Sequence, residues 1–188
     1  MWEKKGQPLP PPHLRKQQVL LEYANRYQLR VLVETGTYRG DMIQAMLPHF
    51  DRLYTIELSP DYHRSAVRRF RNAPQVQLIL GDSRNELPAV LRQINQPALI
   101  WLDGHYSGGR TAKGISDSPV LEELRHVFQT SSTGHVMIID DAHLFGIDPD
   151  YPSTEQLEDF LRTQCHPYAC GEDTASASRP GQYHGACG

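Results

Sequence analysis

Five short apolar runs recur along the chain, RVLVE, LYTIE, VQLIL, ALIWL and HVMII, and each ends in an acidic residue or is followed by one within two positions. The runs are rich in β-branched and aliphatic residues and nearly free of polar interruptions, the pattern of strands covered on both faces. Helical signals lie between them. Asp41 opens a segment to His49 carrying Met42, Ile43, Ala45, Met46 and Leu47, and Ser59 with Pro60 supplies a cap and a first-turn proline before a segment ending at Phe70. Ser83 caps a segment reaching Ile94, and Asp117-Ser118-Pro119 starts another with Val120, Leu121, Leu124, Val127 and Phe128 at helical spacing. Alternating strands and helices imply right-handed crossovers and a Rossmann-like α/β fold, a doubly wound, mostly parallel sheet with helices on both faces. The carboxyl ends of such strands open into one crevice, so Glu34, Glu57, Asp82, Asp103, Asp140 and Asp141 fall along one rim, the expected active site.

The chain has 188 residues, 39% of them hydrophobic, enough for one sizeable core. Residues 1–12 form a proline-rich segment containing QPLPPP, and the domain is expected over 13–170, beginning with a helix that carries Leu14, Val19, Leu20, Leu21, Tyr23, Ala24 and Tyr27. A helix from Ser153 to about Thr163 starts S-T-E-Q, a capping-box pattern. After it, residues 171–188 are small, polar and glycine-rich, so a disordered tail is expected and the antiparallel strands that would close the sheet edge are expected to be missing. The formal charge of −3 and the lack of a basic stripe argue against a nucleic-acid partner, and the arginines at 64, 68, 69 and 71 read as a solvated helix face. No run approaches the ~18 apolar residues of a membrane span, and Lys4 and Lys5 precede prolines rather than a signal-peptide core, so a cytoplasmic protein without a membrane partner is expected. Cys165, Cys170 and Cys187 read as free thiols of a reducing compartment, because their spacing matches no zinc pattern.

The loop Glu34-Thr35-Gly36-Thr37-Tyr38-Arg39-Gly40 joins a buried strand to a helix, and its glycines let backbone amides approach a ligand. Its spacing departs from the dinucleotide fingerprint, and Glu34 repels a pyrophosphate but suits an amine-bearing ligand. Glu57 ends the second strand 17 residues beyond Gly40, where an acid accepts hydrogen bonds from ribose hydroxyls. A nucleoside-type cofactor is expected. Asp103 and the pair Asp140-Asp141 end strands whose neighbours lie about 4.8 Å apart, so three carboxylates would repel one another unless a cation neutralised them. A hard divalent ion with oxygen ligands, Mg²⁺, answers that requirement.

With ETGTYRG, YTIEL, GDS at Gly81 to Ser83, WLDGHYSGG and IIDDAH in place, the sequence resembles class I S-adenosylmethionine-dependent methyltransferases from about Val31 to His143. The resemblance is to the metal-dependent O-methyltransferases of the catechol and macrocin type and the related cephalosporin hydroxylase-like group. It implies cofactor binding by Glu34, Gly36, Thr37, Gly40, Glu57, Asp82, Ser83 and Asp103, with the methionine part at the glycine loop, the ribose on Glu57 and the adenine end near Asp82 and Ser83. It also implies Asp103, Asp140 and Asp141 as Mg²⁺ ligands. The expected reaction is methyl transfer to a hydroxyl of a small molecule such as a sugar, glycoside or polyketide-type metabolite. An imidazole is suited to removing the hydroxyl proton near neutrality, which singles out His105 first and His143 second. The glycine-rich stretch Gly104 to Gly114 reads as a substrate-gating loop bearing Tyr106, Arg110 and Lys113. Two rival readings are a cofactor-binding module without turnover and a metal-dependent hydroxylase or hydrolase-like enzyme on the same sheet.

Overall fold

A computed structural model describes residues 12–103, 119–130, 134–140, 142–147, 151–164 and 183–186. In chain order the elements are α1 (His13–Arg26), β1 (Val31–Thr35), α2 (Asp41–Met46), β2 (Arg52–Glu57), α3 (Pro60–Arg69), β3 (Val76–Leu80), α4 (Ser83–Leu91), β4 (Leu99–Leu102), α5 (Pro119–Thr130), β5 (Val136–Ile139), a 3₁₀ turn (Ala142–Leu144), α6 (Thr154–Gln164) and β6 (Tyr183–Ala186). The sheet order is β3-β2-β1-β4-β5-β6; the first five strands are parallel and β6 is antiparallel to β5. The expected doubly wound α/β sheet is therefore present. The order reverses between β1 and β4, which places the ligand crevice at their carboxyl ends.

Both sheet faces are covered, so the strands carry no polar alternation. On one face Val31, Val33, Tyr54, Ile56, Ile100, Leu102, Met137 and Ile139 pack against Leu87, Val90 and Leu91 of α4, Val120, Leu124 and Val127 of α5 and Leu157 of α6. On the other, Leu32, Leu53, Leu99, Trp101, Val136 and Ile138 pack against Val19, Leu20 and Ala24 of α1, Met42, Ile43 and Met46 of α2 and Ala66 of α3.

The caps show why the helices start where they do. Ser59 Oγ accepts from Tyr62 N ahead of Pro60, as its sequence predicts. The predicted capping box is reciprocal: Ser153 N donates to Gln156 Oε1 at 2.8 Å and Gln156 N to Ser153 Oγ at 3.2 Å. At α4 the expectation is corrected, since Asp82 is the cap, accepting from Arg84 N at 3.0 Å, and Ser83 is the first helical residue. A carboxylate caps as well as a hydroxyl and also meets the positive end of the helix dipole. The sheet edge also departs from expectation. Tyr183–Ala186, inside the segment expected to be disordered, pairs antiparallel with β5 over Val136 to Ile139. Main-chain hydrogen bonds need no apolar side chains, so the YHGA sequence hides an edge strand. Among the described residues no helix is long and apolar enough to cross a membrane.

Candidate active site at the strand ends

The ends of β1 and β2 are tied together by the loop between β1 and α2. Gly36 N and Thr37 N both donate to Ile56 O, at 2.9 and 3.3 Å, and Tyr38 N donates to Glu57 Oε2 at 2.7 Å. The expectation that these amides are offered to a ligand is therefore corrected for Gly36 and Thr37, whose N–H groups hold the loop onto β2. Glycine is nevertheless required. Gly36 and Gly40 have φ of 86° and 76°, and a Cβ on Gly40 would stand 2.7 Å from the Phe70 ring. Tyr38, at φ 47°, takes the same left-handed region without glycine's freedom.

Glu57 is buried, and its carboxylate accepts from Tyr38 N and, through Oε1, from Ser59 N at 2.8 Å. An ionised carboxylate has about four acceptor positions, so two remain for a pair of hydroxyls. Leu58 and Leu80, beyond the ends of β2 and at the end of β3, are exposed and offer an apolar surface beside it. Asp82 points its carboxylate at Arg84, whose Nε is 3.0 Å from Oδ1, and this ion pair lowers the Asp82 pKa. Its adjacent residue Ser83 is half-buried in the first turn of α4.

Glu34 lies in register with Thr55 of β2 and Trp101 of β4. It is 1% exposed and accepts from Thr55 Oγ1 at 2.5 Å, while Thr55 Oγ1 also meets Thr37 Oγ1 at 2.5 Å. Burial pushes the Glu34 carboxyl up to about 8, with Glu57 adding to the shift against the Thr55 hydrogen bond. Burial therefore favours the neutral carboxyl at Glu34, where the sequence suggests a carboxylate for an amine-bearing ligand.

Asp103 and Asp140 follow β4 and β5 directly, and their neighbours Leu102 and Ile139 are paired in register. Strand alternation sends Glu34, Trp101, Asp103, Ile138 and Asp140 to one face, the face that α1 covers. Asp103 N donates to Thr35 O, and Asp140 N to Leu102 O at 3.0 Å, fixing both acids at the crevice. Burial and the adjacent Asp140 carboxylate raise the Asp103 pKa well above the usual carboxylate range. Lys16 of α1 forms an ion pair with Asp140 Oδ2. This lysine was not singled out in the sequence, although a signal existed: it precedes Val19 by three and Leu20 by four residues, which puts it on the buried side of α1.

Of the remaining expected site residues, His143 lies half-buried in the 3₁₀ turn after β5. His105, Asp141, Tyr106, Arg110, Lys113 and the three cysteines lie outside the described residues. Among the described residues no group of three His, Cys, Asp or Glu side chains is placed to hold a metal ion. The described acids do not fit a divalent ion while Lys16 is on Asp140.

No protein-family model matches the chain, and neither does any curated protein. Solved structures do match. An O-methyltransferase from Bacillus cereus, in complex with SAH, aligns with TM-score 0.66 at 14% identity over 99% of this chain and 86% of its own. The chain has the fold of the S-adenosylmethionine-dependent methyltransferases. One such methyltransferase, from Clostridium acetobutylicum, aligns with TM-score 0.61 at 12% identity over 95% of this chain and 92% of its own. The O-methyltransferase TomG from Streptomyces achromogenes, involved in tomaymycin synthesis and solved with SAM, aligns with TM-score 0.60 at 21% identity, covering 86% and 73%. In this fold the loop after β1, Glu57 at the end of β2 and Asp103 after β4 stand at the carboxyl ends of neighbouring strands.

Proposed function

We propose that the chain is an S-adenosylmethionine-dependent O-methyltransferase acting on a hydroxyl of a small molecule. The observation that carries this reading is Glu57, a buried carboxylate that ties the β1 loop to the end of β2 through Tyr38 N and Ser59 N and retains acceptor capacity for two ribose hydroxyls. When bound, the cofactor supplies an electrophilic methyl group on a sulfonium sulfur. Glu57 orients it through the ribose, Leu58 and Leu80 flank the base, and the Gly36–Gly40 loop encloses the methionine end. The acceptor enters beside Asp103 and Asp140, where its oxygen forms a bond to the methyl carbon as the carbon–sulfur bond breaks. His143, or His105 outside the described residues, takes the hydroxyl proton. Holding the two reactants in line is the main contribution of such a crevice.

The sequence expects Mg²⁺ on Asp103, Asp140 and Asp141. With Lys16 paired to Asp140, the reading favoured here is transfer without a divalent ion. Incubating the full chain with methyl-labelled S-adenosylmethionine and a panel of glycosides, phenols and polyketide-type alcohols tests the activity. Label is expected in a methyl ether of one acceptor class; cofactor binding with no labelled acceptor would favour a binding module instead.

A further inference from the structure

Glu34, Asp103 and Asp140 come from three neighbouring strands, β1, β4 and β5, and share one sheet face. Three carboxyl groups so placed require protons or a cation to coexist. Lys16 brings its ammonium into this group on Asp140 Oδ2, with a side-chain exposure of 16% against 1% for Asp140. The helix that carries the lysine is held in place. Val19 and Leu20, the next turn of the same helix, are buried in the core with Leu99, Trp101 and Ile138, so α1 cannot withdraw Lys16 without exposing apolar surface. Asp140 Oδ1, the other oxygen, is buried and has no hydrogen-bond partner among the described residues. A buried carboxylate oxygen is seldom left without a donor, and the Asp103 carboxyl, which hydrogen-bonds Asp140, is the neighbouring group able to supply one.

We propose that Lys16 is the resident cation of the acceptor end of the crevice, occupying beside Asp140 the position a divalent ion would take. The part concerning the acceptor rests on the methyltransferase reading; the part concerning the cation does not. Exclusion follows from charge, since a divalent ion at Asp103 and Asp140 would have to approach the Lys16 ammonium.

Manganese binding, followed by the loss of the free-ion paramagnetic resonance signal, tests the cation. The full wild-type chain is expected to leave the signal unchanged, and Lys16→Arg, which keeps the charge, is expected to do the same. Lys16→Met is expected to bind the ion about ten- to a hundredfold more tightly than wild type, the range over which changes around a metal site move its affinity. Stoichiometric manganese binding by the wild type, or equal binding by Lys16→Arg and Lys16→Met, would overturn the proposal. The wild-type arm stands even where Lys16→Met does not fold. In the same samples, wild-type methyl transfer is expected to persist in excess chelator, and manganese is expected to restore transfer to Lys16→Met alone; transfer abolished by chelator would also overturn the proposal. Calorimetry with S-adenosylmethionine on the wild type separates the two readings, because a chain that binds neither cofactor nor manganese refutes the methyltransferase assignment and leaves the resident cation intact.

Discussion

Glu34 shows how a residue's position sets its charge. It sits in the middle of the sheet, and its carboxyl is pushed up to about 8 because burial penalises the ion more than one Thr55 hydroxyl restores. The folded chain therefore holds a proton that the unfolded chain, with an ordinary value of 4.5, releases. Stability contributed by that proton is complete below about 4.5 and is lost as pH rises through about 8. Asp103 carries a shift of the same sign. Glu34→Gln keeps the shape and removes the titration, so urea melts between pH 5 and 8.5 are expected to show a shallower fall in stability than wild type. An unchanged slope would mean that Glu34 is ionised in the folded state. The sequence displayed Glu34 and Glu57 clearly, because an acid closing an apolar strand is conspicuous. Lys16 was passed over because its charge registers as polar in any hydropathy pattern, and only its spacing to Val19 and Leu20 marked it as lying on the buried side of α1.

At the scale of elements, β1 to β5 were legible because each is a continuous apolar run, and two caps, Ser59 and Ser153, were legible because the residue types at fixed offsets dictate the hydrogen bonds. The edge strand β6 was not, since YHGA pairs through its main chain. Val136 N and Asp140 N donate to Ala98 O and Leu102 O of the β4 side, so strand alternation turns the Met137 and Ile139 amides toward β6. Ending the chain after Gln182 is expected to speed hydrogen exchange at Met137 and Ile139 while leaving Val136 and Asp140 protected. Equal protection at all four amides in both forms would show that β6 contributes nothing to the edge.

For the molecule as a whole, the strand order reverses between β1 and β4, and the carboxyl ends of the strands gather groups apart in sequence: the Lys16 and Asp140 side chains, the Glu34 and Thr55 side chains, and the Tyr38 main-chain N–H with the Glu57 carboxylate. Sequence patterns located the rim but could not supply these pairings, because register and helix docking are settled only when the core closes. The central claim is that this rim holds S-adenosylmethionine through Glu57. Isothermal calorimetry on the full wild-type chain and Glu57→Ala tests it most directly. One cofactor per chain is expected for the wild type, and a loss of roughly ten- to a hundredfold in affinity for the variant, from about 1.5 to 3 kcal/mol for a hydrogen bond to a charged group. Absence of binding by the wild type, or equal affinity in both, would contradict the account.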